Sequence, residues 1–205
     1  MSSRRRTRAA EFVRFSRDGD QFHYSWAARR CLKLLSPATD LVAVAIEGAS
    51  PADAAQGTGA DAGTEVIDVA EYYGNESAST ATLVRYVQLK HSTLHSGVPW
   101  APSGLKKTLA GFAKRYIALA PTVAVRKTDD HFQFCFVSNR PIPSNFVEAI
   151  EDAAAGRTPR RPALLAKIQS FTKFKGTQLS AFCRRLRLLD KEDNEEMEWT
   201  LVGQE

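Results

Sequence analysis

Tyr86-Val87-Gln88-Leu89-Lys90 is a strand-like run that carries an amide and an ammonium two residues apart. Side chains alternate along a β-strand, so Val84, Tyr86, Gln88 and Lys90 share one face while Arg85, Val87 and Leu89 share the other. Two further β-branched, apolar runs lie upstream, over 41–48 and 66–69, and each carries a single carboxylate, Glu47 and Asp68. Charged groups rarely enter buried strands unless they are paired or bind an ion. Glu47, Asp68 and Gln88 on adjacent strands would offer oxygen donors to a hard divalent cation, with Lys90 beside it.

That donor set suits phosphodiester hydrolysis, which needs an activated water, neutralised phosphoryl oxygens and help for the leaving alkoxide. Mg²⁺ held by Asp68 and Glu47 would supply much of this, with Mn²⁺ able to substitute. Gln88 would add a neutral carbonyl ligand. Lys90, a point charge on a flexible stem, would contact the scissile phosphate and stabilise developing charge. The competing reading places Gln88 and Lys90 on a solvent-facing edge and gives Asp68 a turn-capping role.

Other polar residues fit less well. His91 and Ser92 could reach a phosphate next to Lys90, or satisfy local backbone at the strand end. Gln21 reads as a surface residue, and His23, His95 and His131 are too scattered for a zinc cluster. No Gly-rich Walker loop is present, which argues against ATP use within this chain.

Positioning these groups requires a scaffold, and the hydrophobic pattern supplies one. A helix begins near Asp20, with Phe22, Trp26, Leu32, Leu34 and Leu35 expected to face a core, and ends at Ser36-Pro37. Strands are expected over 41–48, about 65–73 and about 83–92, with 49–63 as a flexible hairpin loop. Ser103 is the expected N-cap of a helix whose stripe is Leu105, Leu109, Phe112, Tyr116 and Leu119. A fourth strand is expected over 131–138, helices over 145–155, 162–171 and 178–189, and a short strand around 198–202. The order describes an α/β core with a mixed sheet, in which consecutive strands pair and bring the acids to the Gln-x-Lys.

The 205 residues fit one domain with extensions: a basic arm over 1–18, a nuclease domain over 19–189 and an acidic tail or linker over 190–205. Net charge is +5, but seven acids and one lysine lie from Asp190 onward, so the preceding stretch carries +11. Basic residues gather at Arg4, Arg5, Arg6 and Arg8, at Lys106, Lys107, Lys114 and Arg115, and from Arg157 to Arg187, which points to a polyanion such as nucleic acid. Cys31, Cys135 and Cys183 show no metal or redox spacing and read as reduced, buried thiols. No apolar run reaches the roughly 18 residues of a membrane span, and the arginine-rich start lacks a secretion-signal core. A cytoplasmic protein is expected.

Gly19-x-x-Phe-x-Tyr-x-Trp, Ile46-Glu47-Gly48, Ile67-Asp68-Val69 and Val87-Gln88-Leu89-Lys90-His91-Ser92 together resemble the PD-(D/E)xK, restriction-endonuclease-like superfamily. Within it the resemblance is nearest to the N-terminal DNA endonuclease domain of bacterial anti-phage effectors, in CBASS systems and in Avs-type STAND NTPases. It covers about residues 19–141 and implies a core of helix, three-strand meander, helix and strand, with the later helices as additions. It assigns catalysis to Asp68, Gln88, Lys90 and Glu47, with Glu47, Asp68 and Gln88 as metal ligands. The chain departs from the family pattern in having Gln88 where a second acid is usual and no proline before Asp68; Gln there resembles the Mrr-like branch. The resemblance implies a Mg²⁺-dependent endonuclease acting on double-stranded DNA with low sequence specificity, controlled by homo-oligomerisation or by a larger defence assembly with a sensor. The alternatives are a catalytically inactive DNA-binding or assembly module of the same fold and a protein-interaction domain with an acidic docking tail.

Overall fold

A computed structural model of the chain describes residues 19–48, 50–55, 62–119 and 131–190. The arm over 1–18, the expected strand around 198–202 and all of the acidic tail after Asp190 lie outside the described residues.

Five strands form one mixed sheet in the order β1-β2-β3-β4-β5. The first helix, α1, spans 19–32 and runs into a short 3-10 turn at Lys33–Leu35. Next come β1 at Leu41–Ile46, a five-residue helix α2 at Pro51–Ala55, β2 at Val69–Tyr73 and β3 at Leu83–Lys90. Both β1–β2 and β2–β3 pair antiparallel. Helix α3, Lys106–Leu119, carries the chain back so that β4, Phe132–Ser138, pairs parallel to β3. Three more helices, α4 at Ser144–Ala154, α5 at Pro162–Thr172 and α6 at Gly176–Arg185, precede β5 at Leu186–Leu189, which pairs parallel to β4. Both parallel pairs thus have helical crossovers, as parallel pairing demands.

The two faces of the sheet are covered unequally. One buries Ala70, Tyr72, Tyr86, Phe134 and Phe136 against α3 to α6 in the larger core. Phe134 lies within 5.3–5.8 Å, centroid to centroid, of Phe112, Tyr86 and Phe182, a stacked and tilted aromatic cluster that ties α3 and α6 to the central strands. The other face buries Val69, Val87, Leu89, Cys135 and Val137 against Ala27, Phe22 and Trp26 of α1. The alternation expected for β3 is observed, with Val84 and Tyr86 in the first core and Val87 and Leu89 in the second.

Several expectations are corrected. Leu32, Leu34 and Leu35 are exposed, because the helical stripe of α1 ends with the change to a 3-10 turn. Part of the expected flexible loop is α2, held by Asp53, whose carboxylate accepts from Tyr72 Oη, Ser77 Oγ and Ala78 N at 2.8–3.2 Å. The second strand begins only at Val69, since a 3-10 turn at Thr64–Val66 takes the residues before it. Ser103 caps nothing: Pro102 opens a 3-10 turn at Pro102–Leu105, with Ala101 ahead of it in the capping position. The last helix stops at Arg185, where Leu186 and Leu188 alternate into the large core as a strand. Cys135 and Cys183 are buried, and burial pushes each thiol up to about 12, so neither is a thiolate at neutral pH. Cys31 is only partly buried. No described helix is long and apolar enough to cross a membrane.

Candidate active site

Asp68 stands one residue before β2, where three strands end together. Its N–H donates to the Val87 carbonyl at 2.9 Å, and its own carbonyl accepts from Glu47 N at 2.8 Å. The main chain of this single residue therefore links β1, β2 and β3. Its side chain extends the link: Oδ2 accepts from Leu89 N at 2.6 Å, taking the place of the main-chain acceptor that a longer β2 would have offered. The Leu89 carbonyl accepts from Nε2–H of His23 on α1 at 3.1 Å.

Gln88 and Lys90 share a face, as the alternation requires, but their surroundings differ. Gln88 is 4% exposed and its Oε1 accepts a hydrogen bond from the hydroxyl of Thr108, itself buried in the first turn of α3. Lys90 is exposed at the end of β3, in register with Ser138 of β4. The turn beyond is pinned by Ser92 and Asn139, which exchange two hydrogen bonds of 2.9 and 3.0 Å. Ser138 Oγ accepts from Trp100 Nε1 at 2.9 Å, and the Arg140 guanidinium lies 4.2 Å from the centre of the Trp100 ring, so the 92–101 loop is held against the same end of the sheet.

Charge is concentrated at Asp68. Burial raises its carboxyl above the ordinary carboxylate range; the Leu89 N–H, His23 and Lys90 oppose that rise, and the negative charge of Glu47 adds to it. Glu47, Lys90 and His23 are thus close enough to act on one carboxylate. Glu47 has left β1: it is exposed and adopts a left-handed backbone, φ 53°. That conformation costs a non-glycine residue about 1–2 kcal/mol, and such residues cluster at functional sites.

The donors present are two carboxylates and an amide. Among the described residues no group of three or more His, Cys, Asp or Glu is placed to hold a metal. An all-oxygen set with two acids does match Mg²⁺, which keeps several of its waters and takes only one or two carboxylates from a protein. Gln88 Oε1 has a second lone pair besides the one facing Thr108. Glu47, Asp68 and Gln88 are therefore a fit for Mg²⁺ and a poor one for zinc.

The remaining candidates disperse. His91 packs on the Phe22 ring at 5.1 Å, His131 is buried with Nε2 on the Ala78 carbonyl, and Gln21 and His95 are exposed. Two site residues were not singled out by sequence, Thr108 and His23. Each carried a signal: Thr108 is a polar residue on the buried stripe of α3, beside Leu105, Leu109 and Phe112. His23 lies three, four and seven residues before Trp26, Ala27 and Arg30, the inward face of α1.

The basic runs are less available to a polyanion than their sequence suggests. Arg115 and Arg185 are each 2% exposed, and Arg115 stacks on Tyr86. Lys114 pairs with Glu65 at 3.1 Å, and Arg161 with Glu148 at 3.4 Å. Arg157 and Arg160 both engage Asp152, whose carboxyl the Arg160 guanidinium holds below its usual range. Lys106 and Lys107, which directly precede Thr108, are exposed.

Comparison of the chain with protein-family models gives no match, and comparison with curated proteins gives none either.

Proposed function

We propose that the chain is a Mg²⁺-dependent endonuclease of the PD-(D/E)xK, restriction-endonuclease-like kind, cutting double-stranded DNA with little sequence preference as the effector of a bacterial anti-phage system. One observation carries the reading: Asp68, Gln88, Lys90 and Glu47 come together where β1, β2 and β3 end, within an order of helix, antiparallel meander, helix and parallel strand. That order is compatible with the core the resemblance implies.

Glu47 and Asp68, with the Gln88 carbonyl, would hold the cation, which would polarise the phosphate and lower the pKa of coordinated water. Thr108 fixes the Gln88 amide from the helix side, so that ligand is preorganised. Leu89 N–H orients Asp68. Lys90 places its ammonium against the phosphoryl oxygen that gains charge at the transition state. Lys106 and Lys107, exposed ahead of Thr108, contact flanking phosphates without reading bases. Assembly is supported by a group of exposed apolar side chains, Leu32, Leu35 and Val42, where the 3-10 turn packs beside β1 at the edge of the sheet.

The test is plasmid cleavage with Mg²⁺ against EDTA, for the wild type and for Lys90→Ala, each with and without a fused inducible dimeriser. Cleavage that requires Mg²⁺ and Lys90, with DNA affinity retained in the variant, is expected. A second reading, an inactive DNA-binding or assembly module, is favoured by the capping role of Asp68, whose Oδ2 completes the β3 ladder as a purely structural group would. DNA binding with no Mg²⁺-dependent cutting, even when dimerised, selects that reading.

A further inference from the structure

On the opposite face from Gln88, between α1 and strands β3 to β5, lies a cavity of about 300 Å³. That is the small end of the roughly 300–1,000 Å³ range of ligand pockets. Trp26 and Arg30 line it from α1, Arg85 from β3, Gln133 from β4, and Arg187 and Leu189 from β5. Three arginines from three separate elements thus line one small space.

Among the described residues their charge is only partly balanced. Glu71, fully buried, is bidentate to Arg30 and also accepts from Arg85 Nη1 at 3.1 Å. Arg30 and Arg85 therefore share one carboxylate. Tyr73 Oη adds neutral bonds to both, at 3.2 and 3.1 Å, and Gln133 Oε1 accepts from Arg85 Nε at 3.1 Å. Among the described residues Arg187 meets main-chain oxygens, those of Arg184 and Leu186, at 2.8 and 3.0 Å. Lys33 feels the same field, since burial and repulsion from Arg30 and Arg85 lower its pKa. Among the described residues three arginines face one acid, in a cavity otherwise walled by Val87, Val137 and Leu189. Excess cation in a partly desolvated pocket is expensive without an anion, and guanidinium forks match phosphate oxygens in pairs.

We propose that this cavity is a phosphate-binding site that takes the phosphomonoester of a small ligand, either a free mononucleotide or the 5′ end of a DNA strand. Arg187 and Arg85 grip the phosphate, Arg30 is held by Glu71 as the floor, and Trp26 and Leu189 supply the apolar wall for the attached group. The site is independent of the nuclease reading: Arg85 precedes Gln88 by three residues, about 10 Å along the strand, and its side chain points to the other face of the sheet.

The experiment is calorimetric titration in EDTA of the full chain with inorganic phosphate, AMP, adenosine, and oligonucleotides carrying a 5′-phosphate or a 5′-hydroxyl. Phosphate-bearing probes are expected to bind and adenosine not to. Arg187→Gln, at an exposed position, should weaken that binding at least tenfold with the fold unchanged, Arg187→Lys should weaken it less, and Lys90→Ala should leave it alone. AMP bound in preference to the phosphorylated oligonucleotide identifies a free nucleotide as the ligand; the reverse identifies a strand end. Absence of binding by every phosphate-bearing probe overturns the proposal. So does binding that survives Arg187→Gln but is lost in Lys90→Ala, which would place the phosphate at the other site.

Discussion

Thr108, in the first turn of α3, donates its hydroxyl proton to Oε1 of Gln88, so the amide between Asp68 and Lys90 is positioned by a helix on the far side of the core and not by its own sheet. Replacing Thr108 by valine keeps the volume and removes the donor. A buried polar atom that loses its partner costs about 1–3 kcal/mol, and the amide is then free to rotate. Thr108→Val is expected to lower Mg²⁺-dependent cleavage more than tenfold while urea denaturation shows a loss within that range. Thr108→Ser should recover most of the cleavage.

The raised carboxyl of Asp68 sets the sign of a pH effect. An acid whose pKa is higher in the folded than in the unfolded chain destabilises the fold when ionised. The penalty is absent below the ordinary value of 3.8 and develops as pH rises through the elevated folded value. Asp68→Asn keeps an acceptor for Leu89 N–H and removes the charge. In EDTA at pH 7.5 the variant should melt no lower than the wild type, while Mg²⁺ should raise the melting temperature of the wild type alone. Stabilisation by a bound ion grows with its concentration, reaching about 2.7 kcal/mol at a hundredfold excess over Kd. Equal Mg²⁺ shifts in both proteins would remove Asp68 from the ligand set.

Glu71 is expected to be the most sensitive acid for folding. Its pKa is lowered, against the pull of burial, by the hydrogen bond and charge of Arg30 and by Arg85. Breaking a buried pair by neutralising one partner costs about 3–5 kcal/mol. Glu71→Gln should lower the denaturation midpoint accordingly, whereas Glu65→Gln, whose Lys114 partner is exposed, should change it little. Similar midpoints for the two variants would contradict the burial of the Arg30–Glu71–Arg85 cluster.

Gly111 is a packing requirement behind the site. A Cβ there would overlap Val66 Cγ2, in the turn that leads to Asp68. Gly111→Ala should destabilise by about 1–3 kcal/mol, the usual cost of overpacking. Because the displaced residues run directly into Asp68, cleavage should fall as well, measurable at a temperature where the variant remains folded.

Periodicity made the strands and the long helices legible. The alternation around Gln88 put Val87 and Leu89 on one side and Tyr86 on the other, and the stripe from Leu105 to Leu119 located α3. It could not end elements where local bonding competes: β2 is shortened by the 3-10 turn at Thr64–Val66, and the run through Leu186–Leu189 is helical in pattern but pairs with β4. Glu47, Asp68, Gln88 and Lys90 were readable as candidates, yet their partners were not. Thr108 and His23 lie 20 and 66 residues from the groups they bond, Gln88 and Leu89, and such distances leave no local signature. Arginine counts misled for the same reason, because Arg115 and Arg185 look alike in sequence to arginines at the surface.

One face of the sheet relies on α1 for its cover, and the bonds that fasten that helix include His23 to the Leu89 carbonyl and Arg30 to Glu71. If α1 peeled away, the second fastening would leave Glu71 beside Arg85 alone and the valines of β3 and β4 in water. Such an opening lies near the free energy of complete unfolding, not near that of a fraying end. Hydrogen exchange at the amides of 23–30 should therefore be as slow as at the central strands. Rates that slow would put α1, the first of the described elements, in the chain's most cooperative unit.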